Sequence, residues 1–264
     1  MLTIAVCELS DPDKLTLAAR QGEIDGVVDF EARVELAKQL FGDKPRALFT
    51  RVRAALQAAA GDLVRCGYCE DSCADEVEHV WPKSFFPGRT FDHSNYLFVC
   101  GICNPAKNDR FSVRHEGNWV DLPAQRKTLG FVVPPSFDAR FIDPLAEAPL
   151  ELLWLDILEK TFMVVPIFDP GTLEHDRAEF TIDTLRLNRE CLVEARRNAY
   201  TGFRDRIHRY VDCKLNGEAQ SLLDQRLFEL RRTPHQTVRM EMRRQIDIID
   251  QPHPNIANAL EVFD

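Results

Sequence analysis

The chain has 264 residues, of which 45% are hydrophobic and 28% charged, and its net charge is −9. That length holds one large domain or two small ones around a real core, and no apolar run approaches the length of a membrane span. A freestanding nucleic-acid binder is usually basic, because much of its affinity comes from neutralising phosphates, so an acidic chain with such a ligand needs a local basic surface or a partner.

The opening Leu2 to Cys7 is a short apolar run with no basic stretch before it, unlike a secretory signal. It is read as a short strand. Helices are predicted over Glu31–Leu40 and Lys44–Ala60; in the second, Leu48, Val52, Ala55, Leu56 and Ala59 recur at helical spacing and Gly61 supplies a stop. These form a helical lead-in over residues 1 to 60.

Residues 61 to 115 carry the chemistry. Val77–Trp81 and Tyr96–Val99 are short strand-like runs, separated by a polar loop from Pro82 to Ser94 with a Pro87-Gly88 turn signal. Asn104 is expected to cap a following helix, with Pro105 at its first position. Residues 116 to 150 are proline-rich and read as an irregular connector. Leu152–Ile157 and Phe162–Phe168 read as a strand pair, closed by Asp169-Pro170-Gly171. Helices are then predicted from Glu174, over Arg189–Val211, over Glu218–Arg232 and over His235–Asp250. The fold class is α+β, a small strand-loop-strand-helix unit within a mainly helical protein.

Eight cysteines occur. Cys66 and Cys69 form one C-x-x-C hook and Cys100 and Cys103 another, and two such knuckles supply the four thiolates of a structural zinc ion. Cys7, Cys73, Cys191 and Cys213 are scattered, which fits a cytoplasmic zinc protein better than a secreted disulfide scaffold. Between and beside the hooks stand Glu78, His79, Asn95 and Asn104. Neutral imidazole can take a proton near pH 7, a carboxylate suits a hard divalent ion, and an amide can orient an imidazole or ligate a metal. Adjacent strand residues point to opposite faces, so Glu78 and His79 can serve one site only if the strand ends there, and Pro82 predicts that end.

This segment resembles the HNH endonucleases, the ββα-metal nucleases that carry a zinc hook at each end. The matching residues are Cys66-Gly67-Tyr68-Cys69, Glu78-His79-Val80-Trp81-Pro82-Lys83-Ser84, Asn95 to Cys100 and Cys103-Asn104-Pro105-Ala106-Lys107. The resemblance implies that His79 is the general base and that Asn95 orients it. It also implies that Glu78 and Asn104 hold a catalytic Mg²⁺ or Mn²⁺ ion, with Asn104 where the family usually has its last histidine. Arg51 to Leu56, Phe141-Ile142-Asp143-Pro144 and Thr184 to Arg189 are similar to the HNH proteins of bacterial anti-phage systems, the Septu PtuB type and its retron-associated relatives. Those work with an ABC-type, PtuA-like ATPase, which implies such a partner here.

From Pro82 to Arg114 five basic residues, among them Lys83, Arg89, Lys107 and Arg110, face two acids, Asp92 and Asp109. A local phosphate-binding surface is expected there. The expected activity is metal-dependent phosphodiester hydrolysis, most simply of DNA. The alternatives are cleavage of RNA and a non-catalytic zinc-ribbon adaptor. Residues 116 to 264 are expected to form the connector, the strand pair and the helices that dock a partner.

Overall fold

The structure is a computed structural model that describes residues 1–61 and 64–263. The expected boundary between lead-in and core therefore runs into Asp62 and Leu63, outside the described residues. The N-terminal part holds α1 (Asp11–Asp25), α2 (Phe30–Gly42) and α3 (Arg46–Ala59). Ser10 and Asp29 cap the first two by accepting from the backbone N–H of Asp13 and Ala32. In α3 the stripe Leu48, Phe49, Val52 and Leu56 is buried. The first seven residues form no strand. Ile4 donates one backbone bond to Pro144, and a single bond makes no ladder.

The central unit is the hairpin of β1 (Glu76–His79) and β2 (Tyr96–Val99), followed by α4 (Cys103–Lys107). The strands are antiparallel, pairing Glu76 with Val99, Glu78 with Leu97 and His79 with Tyr96. Two hydrophobic cores meet on this hairpin. Tyr96 and Phe98 face the core of α1 to α3, with Leu17, Ile24, Phe49 and Val52. Leu97 and Val99 face the larger core, with Tyr68, Phe85, Phe111, Phe141 and the C-terminal helices. Two-sided burial explains why β2 is apolar at all four positions. At Gly67 an added Cβ would come within 2.8 Å of both Ile4 and Leu97, so the first knuckle presses directly on β2.

The connector is more ordered than its prolines suggest. β3 (Ser112–His115) and β4 (Asn118–Asp121) form a second hairpin, and α5 (Leu122–Leu129) follows, capped by Asp121. The predicted strand pair appears as β5 (Leu153–Leu155) and β6 (Val164–Pro166). The helical part contains α6 (Leu173–Leu185), α7 (Glu190–Leu215), α8 (Gln220–Arg231) and α9 (Gln236–Arg244). The last helix stops short of the expected Asp250. Among the described residues no helix is long and apolar enough to cross a membrane.

Candidate functional site

The four hook cysteines converge. Their sulfurs all lie within 4.8 Å of one another, all four residues are buried, and Cys69 Sγ lies 4.0 Å from Cys100 Sγ. A zinc ion with Zn–S bonds of about 2.3 Å sets its sulfurs about 3.8 Å apart, whereas a disulfide needs roughly 2 Å. The cluster is thus sized for a tetrahedral metal and not for a cross-link. Hydrogen bonding from Cys103 and then Cys66 favours the thiolate at Cys100. Cys73 is exposed and outside the cluster. Arg189, just before α7, brings its Nη2 to 3.8 Å from Cys103 Sγ. No sequence signal marks that contact, because 86 positions separate the two residues.

His79 is the last residue of β1, and Glu78 before it still points to the opposite face of the hairpin. The His79 Nε2 lies 2.8 Å from the carbonyl oxygen of Thr90. A carbonyl only accepts, so Nε2 carries the proton and Nδ1 keeps its lone pair. The ring packs edge-on against Phe41 at 4.5 Å and Tyr96 at 5.3 Å, and the residue is 5% exposed. Burial, and then the charge of Lys83, pushes the imidazole down to about 3, so it is neutral at ordinary pH.

Asn95 is fully buried and does not bond the imidazole. Its Oδ1 accepts from the Trp81 N–H at 2.8 Å, and its Nδ2 donates to the carbonyls of Trp81 and Arg89 at 3.1 and 3.0 Å. It therefore fixes the loop whose next residue, Thr90, holds His79. Phe141-Ile142-Asp143-Pro144 braces the same loop, since Trp81 Nε1 donates to Asp143 at 3.0 Å.

Glu78 projects to the other side of the hairpin. Its Oε1 lies 2.7 Å from Lys107 Nζ, which also donates to the His79 carbonyl at 3.0 Å. Burial raises the Glu78 carboxyl against the pull of that ammonium. Asn104 lies inside α4 and is not its cap. Its Nδ2 donates to Glu76 Oε2 at 2.6 Å. Two rungs thus join β1 to α4, Glu76 with Asn104 and Glu78 with Lys107. Glu76 was not singled out from sequence, although its i, i+2 spacing to Glu78 puts both carboxylates on one strand face. The carboxylates of this seam are hard oxygen donors of the kind Mg²⁺ or Mn²⁺ takes, and in this arrangement Lys107 Nζ and Asn104 Nδ2 occupy them.

The predicted cations separate. Lys107 is fully buried in its pair with Glu78 and does not form part of a surface. Arg89 pairs with Asp92 at 3.3 Å and stacks over Trp81. Arg110 is exposed at the end of α4. Lys83 is half-buried near His79 and Glu78. Lys44, outside the predicted set, joins it there.

Comparison with protein-family models, curated proteins and solved structures gives no match to this chain. The functional reading therefore rests on the residues themselves.

A second group, His208, Asp212 and His253, also has metal-ligand composition. Here the Asn255 N–H donates to His253 Nδ1 at 3.0 Å, which places the ring proton on Nε2, facing Asp212 at 3.2 Å. That is a closed hydrogen-bond network tying the C-terminal segment to α7. A cavity of about 640 Å³ between the N-terminal segment and α9 is lined in part by Cys66 and Gly67, and its lining does not include His79.

Proposed function

We propose that the chain is a divalent-metal-dependent endonuclease of the HNH kind, acting on DNA with an ABC-type ATPase as partner subunit. The observation that carries this is His79: a neutral imidazole at the end of β1, pinned through Nε2 with Nδ1 left as a base. Zinc-sized thiols at the base of the same hairpin and hard oxygen donors along its seam with α4 support the reading.

His79 Nδ1 takes the proton of a water whose oxygen attacks the phosphorus, and the bond to the 3′ oxygen breaks. Thr90 and Asn95 keep the ring in that tautomer and orientation. Glu78 and Asn104, with Glu76 beside them, would hold the Mg²⁺ or Mn²⁺ ion. When bound, that ion supplies charge stabilisation for the phosphate and the departing oxygen. The net charge of −9 supports delegating target choice to a partner, and the exposed Phe228 of α8 and Leu215 of α7 support docking on the C-terminal helices.

The test is cleavage of DNA and RNA in parallel, with Mg²⁺ or Mn²⁺, by the chain alone and with the product of a neighbouring ATPase gene. Wild type is expected to cut DNA, and His79→Ala to lose at least a hundredfold in rate while keeping its fold. Cleavage of neither nucleic acid would remove the enzyme reading. A second reading, a non-catalytic zinc-ribbon adaptor, draws on two observations. His79 lies under Phe41, and Glu78 is already neutralised by Lys107.

A further inference from the structure

We propose that Lys44 and Lys83 form a clamp for the phosphate backbone at the mouth of the His79 site, spaced by the ring of Phe41. For its substrate this rests on the nuclease reading; for its geometry it does not. Lys44 follows the end of α2, and Lys83 follows the end of β1. The two come together around one ring, with Lys44 Nζ 4.4 Å and Lys83 Nζ 5.3 Å from the Phe41 centroid. The same ring lies 4.5 Å from His79.

Three other cations near the hairpin are neutralised by acids. Lys107 has Glu78, Arg89 has Asp92 and Lys38 has Glu35. Among the described residues, neither Lys44 nor Lys83 has a carboxylate within ion-pair distance. Lys44 donates only to the Phe41 carbonyl, at 3.1 Å. Glu78 and Asp109 act on Lys83 from further off, and each already has a cation of its own. Burial, followed by the charges of Arg53 and Lys83, holds Lys44 below the usual lysine value.

Two like charges in partly buried positions around one ring destabilise the free protein, and an anion that reaches both recovers part of that energy. Beside Lys83 a cleft of about 490 Å³ runs past Val34, Ser84, Asp109 and Phe131, giving room for the chain that continues from a bound phosphate. A lysine ammonium meets a phosphate as a point charge, so the ligand class is a phosphodiester backbone without sequence preference.

The experiment is equilibrium binding of fluorescein-labelled duplex DNA and of single-stranded RNA of equal length by the full chain, without added divalent ion. Lys44→Gln and Lys83→Gln are each expected to weaken binding by roughly threefold to tenfold. Each should also lower the slope of log affinity against log salt by about one. Lys44→Arg keeps the charge and should bind like wild type, as should the remote Lys160→Gln. If Lys44→Gln unfolds, Lys83→Gln carries the same comparison. The DNA and RNA arms show which backbone is preferred. Unchanged affinity and salt slope in a folded Lys83→Gln, or no binding of either nucleic acid by wild type, overturns the clamp. Loss of binding in a protein that never cuts upholds the clamp and fails the nuclease reading. Cutting that is indifferent to both lysines does the reverse.

Discussion

His79 titrates in an unusual direction for a histidine with a hydrogen-bond partner. The Thr90 carbonyl alone would raise its pKa, but burial and the nearby lysines outweigh that and hold it down to about 3. Between about pH 6.5 and that value the unfolded chain takes up a proton that the folded chain refuses. Stability from this group is therefore complete above about pH 6.5 and falls as acid is added, by up to about 1.4 kcal/mol per pH unit. Burial shifts His235 the same way, so wild type has at least two such groups. His79→Gln should flatten the fall in unfolding free energy between about pH 6.5 and pH 4.5, read by urea titration. Parallel curves for the two proteins would show that His79 is protonated in the fold. Its place at a strand end was legible in the sequence, because Pro82 follows closely. Its environment was not: Phe41, Lys44 and Thr90 reach it from separate segments.

At the scale of elements, the hairpin and its helix were readable from the cysteine hooks and the apolar strand runs, although the helix begins at Cys103, ahead of the expected Asn104 cap and Pro105. The strand Tyr96–Val99 appears at the predicted bounds. The β3–β4 hairpin was missed because its turn, Glu116-Gly117, fell on an assumed boundary. Both residues have positive φ, 49° and 81°, the signature of a tight hairpin turn. α1 was missed because its core-facing side is sparse, with Leu17 and Ile24 buried and Leu15 exposed. The staple on the hairpin makes its own prediction. Fresh protein should carry about one zinc per chain by elemental analysis, and Cys66→Ser should lose it and several kcal/mol of stability. His79→Ala should retain the metal, since its ring is no part of the thiol cluster. A protein without metal in which Cys66→Ser is fully stable would leave four ordinary core cysteines.

Over the whole molecule, the hairpin is the wall between two cores, and the hooks sit where the C-terminal helices lean on that wall. Sequence spacing placed the thiols but could not show what holds them from outside. Arg189 does so, because its guanidinium donates to Cys103 across the join between α7 and the second knuckle. The preceding Asn188 ties the same turn to β6, exchanging hydrogen bonds of 2.7 Å with the backbone N–H and carbonyl of Val164. A zinc ion with four thiolates carries net negative charge, and a guanidinium at one sulfur offsets part of it. Proximity of Cys103 and Cys69 accordingly favours the charged arginine against its burial. Arg189→Ala should therefore weaken zinc binding by about tenfold to a hundredfold in competition with a chromogenic chelator. Arg189→Lys, which keeps charge but not the planar fork, should fall between. The same substitution should leave Lys44- and Lys83-dependent binding unchanged once zinc is saturating, because those lysines lie on the α2 side of the hairpin. Zinc affinity identical to wild type would mean that the C-terminal helices pack against the knuckle without tuning its metal.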